Sequence, residues 1–286
     1  MSGTVAVIIL SHRDPAQVAR LVRRVTTGAN TLAVVHHDPT GEPLTLRPSS
    51  DVAVIPDPEP CRWGRLSLVR AQWRALGWVR ANVPDLSWAL LVSGQDYPIR
   101  TMRDIENELA VTPAHAYLRH FRADGDPADD VHPWQELTRR RYLHRRRLPF
   151  SARSVPLPVA RRHPYRDGVR LYVGDMWFNL SGDAVDGMLE ATPLSDRLLR
   201  YLRHAPIPDE CFVASMALNT LPPELVRNDS KRFIRWTPRS KHPQTITAGH
   251  RDLLVASDAF FARKLDAAGH PEVPDLLDAL AEERSG

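Results

Sequence analysis

Apolar positions in the first part of the chain fall into two kinds of run that take turns. "TVAVIIL" (4–10), "TLAVVHHD" (31–38), "VAVI" (52–55) and the start of "WALLVSGQDYPIRT" (88–101) are short and continuously apolar, with β-branched residues prominent. That is the pattern of strands buried on both faces of a parallel sheet. Between them the period lengthens. In "DPAQVARLVRRVT" Val18, Leu21, Val22 and Val25 share one helical face, with Asp14 placed to cap and Pro15 at the first helical position. "RLSLVRAQWRALGWVRANV" (65–83) predicts a long helix and "MRDIENELA" (102–110) a shorter one. Strand–helix alternation sustained over ~110 residues predicts an α/β fold, a mostly parallel twisted sheet flanked by helices. Ligands in such folds gather at the carboxyl ends of the strands. Ser11 and His12, His36 to Asp38, and Ser93 to Asp96 are therefore the positions to watch.

The second part is less regular. Residues 119–172 are rich in charge and include "ELTRRRYLHRRRLPF" (136–150), helical at its start, and "SVPLPVARRHPYRD" (154–167). This reads as an insertion that walls a site, not as a separate domain. "VRLYVGDMWFNLSGDAVDGMLEAT" (169–192) returns to strand and then helix, "DRLLRYLRHA" (196–205) is helical, and "RFIRW" (232–236) is a short strand. The last dozen or so residues, mostly polar, are expected to fray. "PIPDECFVASMALNT" (206–220) is the most informative stretch. A Pro-x-Pro turn delivers Asp209 and Glu210 onto the first turn of an apolar, buried helix. Read by themselves, two acids there either complement the helix N-terminus or supply a catalytic base.

Composition narrows the classes. The chain has 286 residues, 43% of them hydrophobic, ample for a large core. Its 38 Lys+Arg against 34 Asp+Glu leave a net charge of +4 carried largely by arginine, which suits recognition of phosphates and other anions. A DNA-binding protein would show a larger, localised excess. Two cysteines, Cys61 and Cys211, provide neither a disulfide framework nor zinc spacing, so a reducing compartment is expected. The N-terminal apolar run lacks a basic flank and a cleavage pattern, and no stretch reaches the ~20 apolar residues of a membrane span, so a soluble, cytoplasmic protein is expected.

Seven segments in series resemble glycosyltransferase family 14, which contains core-2/I-branching β-1,6-N-acetylglucosaminyltransferases and peptide O-xylosyltransferases. They are "VVHHD" (34–38), "WGRLSLVRAQWRAL" (63–76), "WALLVSGQDYPIRT" (88–101), "GDMWFNLSGDAV" (174–185), "PDECFVASMALN" (208–219), "RFIRW" (232–236) and "FFARKLD" (260–266). The resemblance implies a single GT-A domain over 1–286, with 1–118 as its nucleotide-binding half and 119–286 as its acceptor-binding and catalytic half. It implies inverting transfer from a UDP-sugar to an acceptor hydroxyl without a divalent metal or other cofactor. Without the stem, anchor and many cysteines of animal members, the chain looks like a minimal bacterial catalytic domain.

The resemblance assigns roles. Glu210 is the general base, with Asp209 beside it. Lys264, with Arg263 and either Arg239 or Lys241, meets the UDP diphosphate. Ser11, His12, Asp38, Ser93, Gly94 and Asp96 hold the rest of the donor. Asp175, Trp177 and Trp236 face the acceptor. A GT-A enzyme that uses a metal carries Asp-x-Asp at a strand end, where this chain reads "SGQD" (93–96), and the "DGD" at 124–126 reads as a solvated loop. Trp63 and Trp73 are read as structural and Cys211 as a small buried hydrophobe. No nucleic-acid partner and no membrane span are expected. The rival readings are a polyanion- or nucleic-acid-binding protein using the arginines of 139–147, and a sugar-nucleotide binder without catalysis.

Overall fold

The computed structural model describes residues 3–123, 135–148, 154–161, 168–237, 240 and 242–285. In chain order the elements are β1 (Thr4–Ser11), α1 (Pro15–Val25), β2 (Thr31–His37), β3 (Val52–Val54), α2 (Leu66–Asn82), β4 (Leu86–Ser93), β5 (Asp96–Pro98) and α3 (Met102–Val111). Next come β6 (Ala116–Leu118), β7 (Phe121–Arg122), α4 (Gln135–Leu143), β8 (Arg145–Arg147), β9 (Ser154–Pro156), β10 (Tyr172–Val173), β11 (Phe178–Ser181), α5 (Gly182–Glu190), α6 (Thr192–Leu202) and α7 (Asp209–Thr220). The chain closes with β12 (Val226–Arg227), β13 (Arg232–Ile234), α8 (Arg251–Val255), β14 (Phe261–Arg263) and α9 (Val273–Glu283).

These elements form two compact units, and the chain passes between them more than once. One comprises Met1–Pro58, Ala75–Pro113 and Ser230–Gly286; the other comprises Glu59–Arg74 and Ala114–Asp229. In the first unit β4, β1, β2 and β3 run side by side and parallel, as the alternation of runs predicts. The register sets Leu10 against both His36 and Ser93, and Ser11 against His37, so the strands finish level with one another. Residues Val5 to Ile9 and Ala89 to Val92 are buried, which accounts for their unbroken apolarity. A second sheet of this unit orders β13, β14 and β5, with Arg263 opposite Asp96.

Two expectations fail here. Asp14 does not cap α1 with its side chain. It adopts a left-handed conformation (φ 52°), and its N–H donates to Glu42 Oε2 at 3.1 Å. Nor do the last dozen residues fray, because α9 buries Leu277, Leu280 and Ala281. Its acids are tied down as well: Arg20 Nη2 meets Asp275 at 2.6 Å and Asp278 at 2.5 Å, and Tyr97 donates its hydroxyl to Asp278 at 3.0 Å. Polar composition misled because half of each turn faces those partners.

In the second unit β6 is flanked by β12, parallel to it, and β11, antiparallel to it. The pairs β7–β10 and β8–β9 are small antiparallel ribbons. α7 is the axis of this unit, buried nearly all round from Cys211 to Ala217. Trp73 meets Phe212 edge-on with centroids 5.1 Å apart, the structural role expected of it. Trp63 is 76% exposed and packs no core, contrary to expectation, since the turn before α2 lifts it off the helix.

Candidate active site

The two acids of "PIPDE" differ in what they touch. The residue before α7 is Pro208, and no side chain caps the helix. Glu210 instead turns to α4, where Arg141 Nη1 donates to its Oε2 at 2.6 Å. Burial raises the Glu210 pKa, Arg141 pulls it back, and Asp175 nearby adds to the rise. A carboxylate more basic than usual, with one guanidinium bonded to it, is the electrostatic setting that suits a general base.

Three residues of α7 hold the neighbouring backbone. Along α7, Asn219 bonds Arg170 N–H and C=O at 2.8 Å each, Ser215 Oγ lies 3.0 Å from Tyr172 N and 3.1 Å from its carbonyl, and the Glu210 carbonyl accepts Gly174 N–H at 2.9 Å. The segment Arg170–Gly174 thus runs down the helix while the helix runs up, and it delivers Asp175 next to Glu210. Gly174 has no room for a side chain, because a Cβ would overlap the Arg119 carbonyl. Asp175 Oδ1 accepts Trp177 N–H at 3.1 Å, and Trp177 itself is buried, packed into the wall.

The turn before the helix is strained. Ile207 has φ 48°, a region that costs a β-branched residue of order 1–3 kcal/mol. Its carbonyl accepts the Tyr142 hydroxyl at 2.6 Å, and the Tyr142 carbonyl accepts the Tyr201 hydroxyl at 2.8 Å. Burial, with Glu210 next, pushes the Tyr142 phenol well above its ordinary value, so it stays a donor. Asp209 is buried, and its Oδ1 has no hydrogen-bond partner. Burial and the Glu210 charge raise its pKa to about 7, so near neutrality it carries its proton about half the time. Cys211 is fully buried and its thiol is pushed up to about 12, the inert hydrophobe expected of it.

The candidate donor residues lie in the other unit. Ser11 Oγ sits 2.9 Å from His37 Nδ1, and His37 Nε2 lies 2.6 Å from the Glu42 carbonyl. A carbonyl only accepts, so the neutral ring carries its proton on Nε2 and accepts from Ser11. His12 is exposed, and its carbonyl accepts Glu42 N–H at 2.9 Å. Asp38 is buried and folds its own turn, with Oδ1 accepting Thr40 N at 2.8 Å and Thr40 Oγ1 at 2.7 Å. Gly94 faces α1: a Cβ there would press on Val18 and Ser11, and its carbonyl accepts from Gln17 at 2.5 Å.

Asp96 is completely buried and accepts Ser93 N–H at 2.7 Å, Ser93 Oγ at 2.5 Å and Arg263 Nη1 at 3.1 Å, with Arg232 Nη1 at 3.5 Å. Arg232 also donates to the Leu91 carbonyl at 2.7 Å and lies over the Phe261 ring, 4.9 Å from its centroid. This charge holds the Ser93–Asp96 turn from beneath. Lys264 follows β14. Its pKa is lowered by burial and then by two neighbouring cations, Arg13 and Arg263, which together make a positive cluster near the start of α1. Trp236 is 58% exposed, not core. Arg239, Lys241 and the 124–126 acids lie outside the described residues. Among the described residues no three His, Cys, Asp or Glu side chains are grouped to hold a metal.

Sequence reasoning missed Arg141, Tyr142, Arg13 and Arg232. The first two hide inside an arginine run. Their one signal is that Thr138 and Tyr142, four apart on a helix, form a buried stripe that turns neighbouring Arg141 inward.

The model of the family described as Branch: Core-2/I-Branching enzyme matches residues 5–255. The chain belongs to the Core-2/I-branching enzyme family. It is 23% identical over 240 residues to the N-acetyllactosaminide β-1,6-N-acetylglucosaminyl-transferase of Homo sapiens, covering 78% of this chain and 57% of that protein. It is 21% identical over 223 residues to β-1,3-galactosyl-O-glycosyl-glycoprotein β-1,6-N-acetylglucosaminyltransferase 4 of Mus musculus, covering 74% and 46%. Xylosyltransferase 2 of Homo sapiens is 23% identical over 238 residues, covering 76% and 26%. The chain thus spans between about a quarter and somewhat over half of these curated relatives. As a Core-2/I-branching family member it is a glycosyltransferase-family protein with a GT-A-like α/β fold, and the matched region contains Glu210, Arg141 and Asp175. Arg263 and Lys264 lie beyond it. No helix among the described residues is long and apolar enough to cross a membrane.

Proposed function

We propose that this protein transfers a sugar from a UDP-sugar to an acceptor hydroxyl with inversion, using Glu210 as general base and no divalent metal or other cofactor. N-acetylglucosamine is the first donor to consider and xylose the second, the sugars named in the relatives' activities. The observation that carries the reading is Glu210 itself, an acid of raised pKa at the head of a buried helix, held by one arginine at 2.6 Å. As the acceptor oxygen attacks the anomeric carbon, its proton passes to Glu210 and the bond from that carbon to the UDP oxygen breaks. Asp209, mostly protonated below about pH 7, does not compete for that proton and lends the site little charge.

The departing diphosphate needs positive charge, which Lys264, Arg263 and Arg13 can supply together, with Arg239 or Lys241 as further candidates. Ser11, His12, Asp38, Ser93 and Gly94 present the level strand ends to the nucleotide, and Asp96 acts on it by fixing the Ser93 turn. Asp175, Trp177 and Trp236 are proposed at the acceptor. Two cysteines give no disulfide framework, and a reducing, cytoplasmic setting is proposed.

The test is release of UDP from a panel of UDP-sugars in EDTA, for wild type and Glu210→Gln. One donor should be consumed, and the variant should lose at least ~100-fold, within the usual span for a lost general base. Absence of both turnover and UDP binding by calorimetry would overturn the proposal.

A further inference from the structure

The arginines on and after α4 divide into those that build the active site and those that line a cavity beside it. Arg141 bonds Glu210, and Arg147 bonds the Gly64 carbonyl. Arg139, Arg140 and Arg145, with His144, Pro156 and Leu157, surround a cavity of about 410 Å³. A second cavity, about 330 Å³, shares Arg140 and Arg145 with the first and is closed by Arg141, Ser154 and Pro206. The second cavity reaches Arg141, whose Nη1 is on the proposed base, and Pro206, in the turn that presents that base.

Arg145 is fixed within this wall. Its Nε donates to Ser154 Oγ at 2.9 Å and its Nη2 to the Ser154 carbonyl at 3.0 Å, so the β8–β9 ribbon holds the guanidinium in place without removing its charge. The described lining of the two cavities is basic and apolar apart from Ser154. Planar guanidinium forks favour oxyanions, while Pro156 and Leu157 offer an apolar floor of the kind a sugar's C–H face covers. A volume near 400 Å³ is at the small end of ligand sites, right for one or two sugar rings.

We infer that the acceptor is an acidic glycan, with a carboxylate, sulfate or phosphate group seated among Arg139, Arg140 and Arg145 while a neighbouring hydroxyl reaches Glu210. The inference rests on the glycosyltransferase reading for that hydroxyl, and it adds the class of acceptor. The donor site lies on other residues, so the two can fail separately.

The experiment titrates UDP-loaded protein with lactose and with its sulfated, phosphorylated and carboxylated forms at fixed ionic strength, for wild type, Arg140→Gln and Arg140→Lys. Arg140 is exposed on α4, and circular dichroism checks that each variant is folded. At least one anionic form should bind wild type at least 10-fold more tightly than lactose. The preference should fall to within about 3-fold in Arg140→Gln and recover in part in Arg140→Lys. Equal binding of lactose and all three anionic forms overturns the inference, as does an anion preference that Arg140→Gln leaves intact. A single-stranded oligonucleotide that outcompetes every sugar, with a steep salt dependence, also overturns it and replaces the acidic glycan with a polyanion. UDP binding, measured first in the same cell, reports on the glycosyltransferase reading by itself.

Discussion

Asp96 and Glu210 are both carboxylates paired with arginine, and they serve opposite ends. Asp96 is wholly buried and surrounded by donors, namely two arginines and both donors of Ser93. Glu210 has one arginine, a second acid beside it and an elevated pKa. The first arrangement gathers its hydrogen bonds on one carboxylate oxygen and fixes a turn. The second raises the carboxylate's pKa, which is what the proposed general base needs. An ion pair in a structure therefore says little about role until the remaining oxygens are accounted for.

The largest effect that would test this contrast is Asp96→Ala. It leaves Arg232 and Arg263 buried without their counter-charge and should cost about 3–5 kcal/mol of stability, read by chemical denaturation. A loss under 1 kcal/mol would strip Asp96 of its scaffold role. Next is Asp209→Asn. The folded protein holds the Asp209 proton up to about pH 7, whereas an unfolded chain releases it near 3.8. Unfolding in that window therefore releases a proton, and wild-type stability falls as pH rises from 4 to 7, by roughly 4 kcal/mol at most, then levels off. The asparagine variant should lack that slope. If both proteins share one pH dependence of unfolding, Asp209 ionises normally.

The smallest effect concerns Arg141→Gln. Removing the guanidinium lets the Glu210 pKa climb further, since burial and Asp175 remain. The acid limb of the rate profile should move to higher pH, with the plateau rate within about 10-fold of wild type. Arg232→Gln is the counterpart, expected to weaken the fold and leave the limb in place. A limb that ignores Arg141 but follows Arg232 would reverse the assignment of the two carboxylates.

Much of the first unit was legible because its strands are buried on both faces and so read as continuous apolar runs. Val5 to Ile9 and Ala89 to Val92 could hardly be anything else. The level ends at Ser11, His37 and Ser93 followed from the parallel topology. What resisted was anything set by a partner far along the chain. The polar tail is ordered because Asp275 and Asp278 find Arg20. Asp14 forgoes capping because Glu42 reaches its N–H. Arg141 was unreadable within "RRRYLHRRR" because charge composition hides which helix face turns inward, and the strain at Ile207 was masked by two prolines that suggested an ordinary turn.

The burial of Asp96 also bears on how the protein emerges from a ribosome. Its two arginines lie at 232 and 263, and β5 pairs with β14 across more than 160 residues, Tyr97 against Ala262. While the intervening chain is being made, Asp96 has only Ser93 to bond and β5 has no partner strand, and loops of this span close late. The first unit cannot finish folding in order of synthesis. The residues up to Pro113 must wait, with β4 and β1 already able to pair, until the 230–286 segment arrives to neutralise the acid. A nascent chain stalled before Arg232 would be a species with an open sheet edge and an unmatched charge, the kind of intermediate that chaperones hold.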